Sequence, residues 1–414
     1  MDRKPNRQPL ILVFLSATAM LILTTCASRG DVDMPTLDPE AQSTRDHLEG
    51  GAGGEQTEEV IDITPEQGTD VPTAEALPTS TPSPTAFPRV GPYVYPEGVN
   101  PLTGLIVADP ALLERRPLMI KVSNFPVSGR PHAGLSYADM VFEYYIGSGS
   151  TRFIALYYGE DSPRVGPIRS GRIADAQIVR LYRGVLGMMR ASGEVWDFLI
   201  EMLGDRVLSA SPRYCPALCV ENSTVTGVYA NTAALTELVV SKGVDNTRPQ
   251  LDGMLFDIAL PPNGERGDRL WMYYASLNQA AWEYDSDRGV YLRLQDNADS
   301  VLQPMPDRVT GEQLAFENVV VMFVVTDIER RTLITLHFWD VVGGDALVFR
   351  DGQAYWITFS APSTDQPLRF YDAAQTPFAL KPGQTWFEIV SVESPVVEIE
   401  EGSWKVIHRI RKDD

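Results

Sequence analysis

Arginine carries the clearest chemical signal in this chain. Between residues 152 and 190 there are seven, Arg152, Arg164, Arg169, Arg172, Arg180, Arg183 and Arg190, against three acids, Glu160, Asp161 and Asp175. A local excess of positive charge in an acidic protein marks a candidate anion site, because the planar guanidinium fork matches carboxylate and phosphate oxygens two at a time. Residues 166–172 also lie just before an expected helix, whose first N–H groups favour anions. A structural reading competes with this one. Asp139 and Glu143 fall on alternate positions of one expected strand, so their carboxylates share a face, where Arg152 and Arg169 would pair with them. The candidate ligand-binding set is therefore Arg152, Arg164, Arg169, Arg172, Asp139 and Glu143.

Other reactive side chains are fewer. Cys215 and Cys219 sit in Cys-Pro-Ala-Leu-Cys. In an oxidising compartment that spacing suits a small-loop disulfide, provided the Cα atoms approach within about 7 Å. Free thiols are the alternative. A metal site lacks partners, since the four histidines include no pair at ligand spacing, and neither a metal nor a cofactor is called for. The run Gly147-Ser148-Gly149-Ser150-Thr151 lacks the Lys-Ser/Thr of a phosphate loop and reads as a turn. No Gly-x-Ser-x-Gly elbow is present. A catalytic alternative pairs Glu143 with His132 or with Glu194, the latter as two carboxylates flanking a glycosidic bond, but no residue is assigned a catalytic role. The seven tryptophans are scattered, as core residues would be.

These side chains need elements to hold them. Residues 118–122, 136–146 and 151–159 are apolar, aromatic and β-branched, and a Gly/Ser turn joins the last two as an antiparallel pair. Helical spacing appears over 173–186, 194–203 and 232–240, with a second strand reading beginning at Val185. Mixed strands and helices without strict alternation give an α+β unit over 99–250. Over 251–395 strand signals dominate. Residues 318–326 read as a strand buried on both faces, Asp351-Gly352 marks a hairpin, and 385–392 forms a late strand. A mostly antiparallel sheet or small barrel is expected there, with a C-terminal extension over 396–414.

Charge and hydropathy place the folded part behind a leader and a tether. The net charge is −20, and residues 30–88 hold thirteen acids and one base, Arg45. Acidity of this kind argues against nucleic acid, which needs clustered bases. Residues 2–7 are basic and 10–23 almost wholly apolar, the layout of a secretory signal too short for a comfortable membrane span. Residues 27–98 are acidic and rich in Pro, Thr and Gly, a disordered tether.

Two resemblances sharpen the reading. Leu23-Thr24-Thr25-Cys26 resembles the lipobox of bacterial lipoproteins, although Thr25 stands where a smaller residue is usual; it implies lipidation of Cys26 and anchoring at the outer face of the cell membrane. The entry Asn-Pro-Leu-Thr-Gly-Leu at 100–105, the motif from Arg130 to Glu143, Thr-Arg-Phe at 151–153 and Gly-Pro-Ile-Arg-Ser-Gly-Arg at 166–172 occur in order. They are followed by Glu-Asn-Val-Val-Val at 317–321, a Gly-Gly to Asp-Gly run at 343–352 and Leu-Lys-Pro-Gly-Gln-Thr-Trp at 380–386. Together they resemble the YerB-like bacterial lipoproteins over residues 98–392. The family usually carries a histidine near the strand end where this chain has Met189-Arg190-Ala191-Ser192-Gly193, so no role for it carries over. The resemblance implies an envelope location and two domains of unknown function. The expectation is a lipid-anchored envelope protein of unknown biochemical activity with a binding or accessory role and an arginine-rich anion site, for which an anionic envelope ligand would be a fitting partner. An envelope hydrolase or transferase, and a structural partner of a membrane protein, are the alternatives.

Overall fold

The computed structural model describes residues 87–410 apart from 298, 331–332 and 339–342. The signal segment, Cys26 and most of the tether lie outside the described residues. The tether was expected to reach residue 98, but Arg89–Val90 already pair with Leu255–Asp257, and Val90 is buried.

The organising element is one sheet of eleven strands. In chain order these are β1 (Leu118–Ser123), β2 (Met140–Gly147), β3 (Ser150–Tyr157), β4 (Val185–Met188), β5 (Val207–Ser209), β6 (Glu265–Arg266), β7 (Asn318–Val324), β8 (Gly343–Arg350), β9 (Gln353–Ser360), β10 (Arg369–Tyr371) and β11 (Thr385–Ser391). Across the sheet the order is β6-β9-β8-β7-β11-β2-β3-β1-β4-β5, with β10 also beside β9. The N-terminal region is mixed, with helices α1 (Ile173–Leu181), α2 (Gly193–Leu203) and α3 (Thr232–Ser241) among its strands, and the C-terminal region is mostly β.

Strand β11 joins the two regions. It runs parallel to β7 on one side and to β2 on the other, and all seven of its residues are buried. The C-terminal region is mostly antiparallel, as expected, and this seam is an exception. Hairpins such as β8–β9 are antiparallel as their short turns require. A strand whose neighbours are distant in sequence carries no such constraint, and Thr-Trp-Phe-Glu-Ile-Val-Ser is apolar enough to be covered on both faces.

Side-chain alternation along the strands separates two cores. One face carries Phe142, Tyr144, Ile154, Leu156 and Phe387 and packs with residues of α1 and α2. The other carries Val141, Phe153, Ala155, Trp386 and Val390, and it packs with α3 and with a second sheet of seven strands. In that second sheet Asn278–Asp285 lies between Arg269–Ala275 and Val290–Asp296, and Ser403–Ile407 runs parallel to Arg269–Ala275. The C-terminal extension therefore belongs to the second sheet, with Val396–Glu400 outermost.

Several family motifs are explained by this packing. Asp139 accepts hydrogen bonds from Asn100 Nδ2 at 2.6 Å and from the backbone N–H groups of Tyr158 and Gly159 at 2.6 and 3.1 Å. It ties the entry turn at 100–105 to the end of β3. Gly134 adopts φ 80°, and a Cβ there would meet the Arg164 carbonyl oxygen at 2.2 Å, so only glycine fits. Cys215 and Cys219 form a disulfide with Cα atoms 4.3 Å apart.

Candidate functional site

Three of the candidate arginines converge where β1 and β3 meet the N-terminus of α1. In the sheet register Arg152 stands opposite Tyr144 on β2 and Ser123 on β1, so these side chains share the face on which α1 packs. Arg169 and Arg172 arrive from the loop that leads into α1. Arg152 donates to the Ser170 carbonyl. Arg169 donates to Ser123 Oγ and to the Phe125 carbonyl, both at 3.2 Å. Arg172 donates to the Gly171 carbonyl at 2.8 Å, and its Nε is buried with no hydrogen-bond partner.

Beneath them lies a closed trio. Lys121 and Asp175 form an ion pair at 2.8 Å with both side chains wholly buried. The Tyr144 hydroxyl bonds to both groups. The second oxygen of Asp175 accepts the backbone N–H of Arg172 at 2.7 Å, capping α1. The Asp175 carboxylate is therefore already occupied by Lys121, Tyr144 and the helix end, and among the described residues the acceptors of the three guanidiniums are neutral oxygens.

The electrostatics follow from that imbalance. Burial, then the repulsion of Arg172, lowers Arg152 to about 9. Burial and Arg172 also lower Arg169. Burial brings the Lys121 ammonium down to about 7 against the pull of Asp175, with Arg152 and Arg172 pushing the same way. Between that value and the ordinary 10.5, the unfolded chain holds a proton that the folded chain has released. Lys121 thus contributes a stability that rises with pH across this window. Lys121→Met is expected to flatten that rise, and denaturant unfolding of both proteins across the window measures it. Parallel pH profiles would contradict the assignment.

The remaining candidates lie elsewhere. Arg164 has its fork filled by Glu221 at 2.6 and 2.7 Å and lies over the Tyr229 ring. The expected pairing of Arg152 and Arg169 with Asp139 and Glu143 is not formed. Glu143 stands opposite Phe153, whereas Arg152 stands opposite Tyr144, so Glu143 and Arg152 project from opposite faces. Asp139 precedes β2 and serves the entry turn, with burial raising it to about 6. Arg183 pairs with Asp365, and Arg190 is exposed.

Glu143 belongs instead to an ion triad between the sheets. Arg293, from the second sheet, reaches Glu143 at 2.7 Å and Glu388 on β11 at 3.1 Å, and all three side chains are wholly buried. Burial, then the charge of Glu388, raises the Glu143 carboxyl. Trp282 Nε1 and the Tyr274 hydroxyl donate to Glu388 at 2.9 Å, and the Thr151 hydroxyl donates to Glu143 at 2.6 Å.

This arrangement overturns the pairing of Glu143 with His132 or Glu194. His132 is buried, held by the Ser123 carbonyl at 2.6 Å and set edge-on to Phe153. Burial lowers it to about 3, so it stays neutral. Glu194 is exposed and faces Arg330 at 3.2 Å. Neither touches Glu143, which has no exposed surface.

Lys121, Asp175, Arg293 and Glu388 were not singled out from sequence. Lys121 and Glu388 share a signal, a lone charge inside an apolar strand, Leu-Met-Ile-Lys-Val-Ser and Thr-Trp-Phe-Glu-Ile-Val-Ser.

Comparison with known proteins agrees with this architecture. Residues 102–243 match the N-terminal domain, and residues 270–387 the C-terminal domain, of a protein family of unknown function, DUF3048. The chain is 25% identical over 305 residues to the Bacillus subtilis protein named "Putative lipoprotein YerB", covering 70% of this chain and 85% of that one. The crystal structure of YerB from Bacillus subtilis superposes with a TM-score of 0.59 at 22% identity, over 70% of this chain and 96% of that one, and so shares the fold. The two matched segments contribute neighbouring strands to a single sheet, and with both domains present in order the chain belongs to the DUF3048 family.

Proposed function

We propose that this protein is a lipid-anchored component of the cell envelope that binds an anionic envelope ligand through Arg152, Arg169 and Arg172. One observation carries the reading: burial, then the charge of Arg172, lowers Arg152 and Arg169, while the Asp175 carboxylate beside them is already engaged by Lys121, Tyr144 and the start of α1. An arriving phosphate or carboxylate would relieve that repulsion and meet charge-assisted donors, each worth about 1.5–3 kcal/mol. Arg164 is no longer part of the set, because Glu221 fills its fork. The anchor rests on Cys26, on the basic-then-apolar leader before it and on the name of the Bacillus subtilis relative. Two acyl chains or more would hold such a protein firmly at a membrane.

Calorimetry of the detergent-solubilised chain with phosphate-bearing and carboxylate-bearing wall fragments tests the site. Arg152→Ala and Arg169→Ala are each expected to weaken binding at least about tenfold, and Arg164→Ala to leave it unchanged. Equal affinity in all four proteins would sink the proposal. Cys26→Ser should release the protein from membranes in a cell-fractionation experiment, and its retention there would refute the anchor.

A further inference from the structure

Trp356 differs from the tryptophans of the core. Trp282 and Trp386 are fully buried, whereas Trp356 on β9 is 47% exposed. Its ring stacks on Phe323 at 5.7 Å between centroids and 25° between planes, so the indole is propped from one side. It also lines two cavities. One, of about 480 Å³, is bounded by Phe323, Asp345, Val392 and Ser394. The other, of about 550 Å³, is bounded by Pro261, Glu265, Tyr355 and Asp372. The second cavity lies along the outer edge of β9, where β6 pairs with residues 353–354 and β10 with residues 358–360, leaving residues 355–357 between them.

We propose that Trp356 and the two flanking cavities form a binding groove for an uncharged glycan chain. A flat, propped aromatic face suits the C–H face of a sugar ring, which presents apolar surface without needing donors from the protein. Carboxylates then accept hydrogen bonds from the hydroxyls, and Asp345 on one side and Glu265 and Asp372 on the other supply them. Asp257 also lines the second cavity, where Arg89 pairs with it at 2.8 Å. The walls thus carry net negative charge, which repels the anionic ligand of the arginine cluster and assigns this groove a different chemistry. Because Trp356 lines both cavities, the ligand that fills them is a chain rather than a single sugar.

The test uses the full chain in detergent, titrated with an N-acetylglucosamine pentamer and with a neutral glucan oligomer, read by tryptophan fluorescence and by calorimetry. Binding of at least one glycan is expected, at least about tenfold weaker in Trp356→Ala, partly retained in Trp356→Phe and unchanged in Arg190→Ala, an exposed position. Circular dichroism confirms that the variants fold, as a half-exposed position permits. Failure of both glycans to bind would overturn the proposal. So would equal binding by Trp356→Ala, or capture of extended peptides in place of glycans. None of these outcomes bears on the arginine cluster, whose own ligand is assayed separately.

Discussion

Arg293→Met is expected to cost about 3–5 kcal/mol of folding stability, the usual effect of removing one partner from a buried ion pair. Against a typical total of about 5–15 kcal/mol, that leaves the protein barely folded. Glu143 and Glu388 are direct neighbours across β2 and β11, and like charges in that position repel. Arg293 is the group that reconciles them, and methionine would leave two wholly buried carboxylates without their ion-pair partner. The loss has a pH signature. Glu143 is already raised by burial and by Glu388, and without Arg293 it rises further. A group raised on folding gives stability that is present at low pH and lost as pH rises through its folded value. The deficit of Arg293→Met should therefore shrink on acidification from neutral pH. Adding Glu143→Gln and Glu388→Gln should restore much of it. Urea unfolding of the three proteins measures all of this, and a wild-type midpoint for Arg293→Met would refute the account.

Trp386→Ala should be nearly as damaging, at about 3–5 kcal/mol. The ring is fully buried, with Phe153, Trp282 and Phe316 at 5.1, 5.3 and 5.3 Å between centroids. The Arg293 guanidinium carbon lies 4.2 Å from its centre. Two contrasts identify the mechanism. Trp386 Nε1 has no hydrogen-bond partner, so Trp386→Phe loses volume but no bond and should be much milder than Trp386→Ala. Because the ring and the guanidinium touch, Arg293→Met and Trp386→Ala together should cost less than the sum of the two. Strict additivity in a double-mutant cycle would contradict the contact.

How far the sequence could be read depended on how local each feature is. The β2–β3 pair declared itself through Gly147–Ser150 and β8–β9 through Asp351-Gly352, because a short turn leaves only one way to pair. The helix expected over 173–186 ends at Leu181. Arg183 takes a left-handed φ of 50°, and Gly184 then leads into β4. The seam at β11 was not legible, since its partners lie far back in the chain and nothing local sets parallel register. The arginine cluster was half legible. Composition pointed to Arg152, Arg169 and Arg172, but separating them from Arg164 required knowing that Glu221 lies beside that one. The error with Glu143 was a matter of strand register: one residue along β2 decides whether a side chain meets the helices or the second sheet.

Strand β11 also has a temporal consequence. A ribosome delivers the N-terminal part first, and the slot between β2 and β7 stays vacant until residues 385–391 emerge. Until then β2 and β7 each present a raw row of unpaired amides, a template for association with other chains. Closure of this sheet is therefore tied to a segment made long after β2. A fragment truncated ahead of Thr385 would lack the seam and invite clumping or proteolytic clearance.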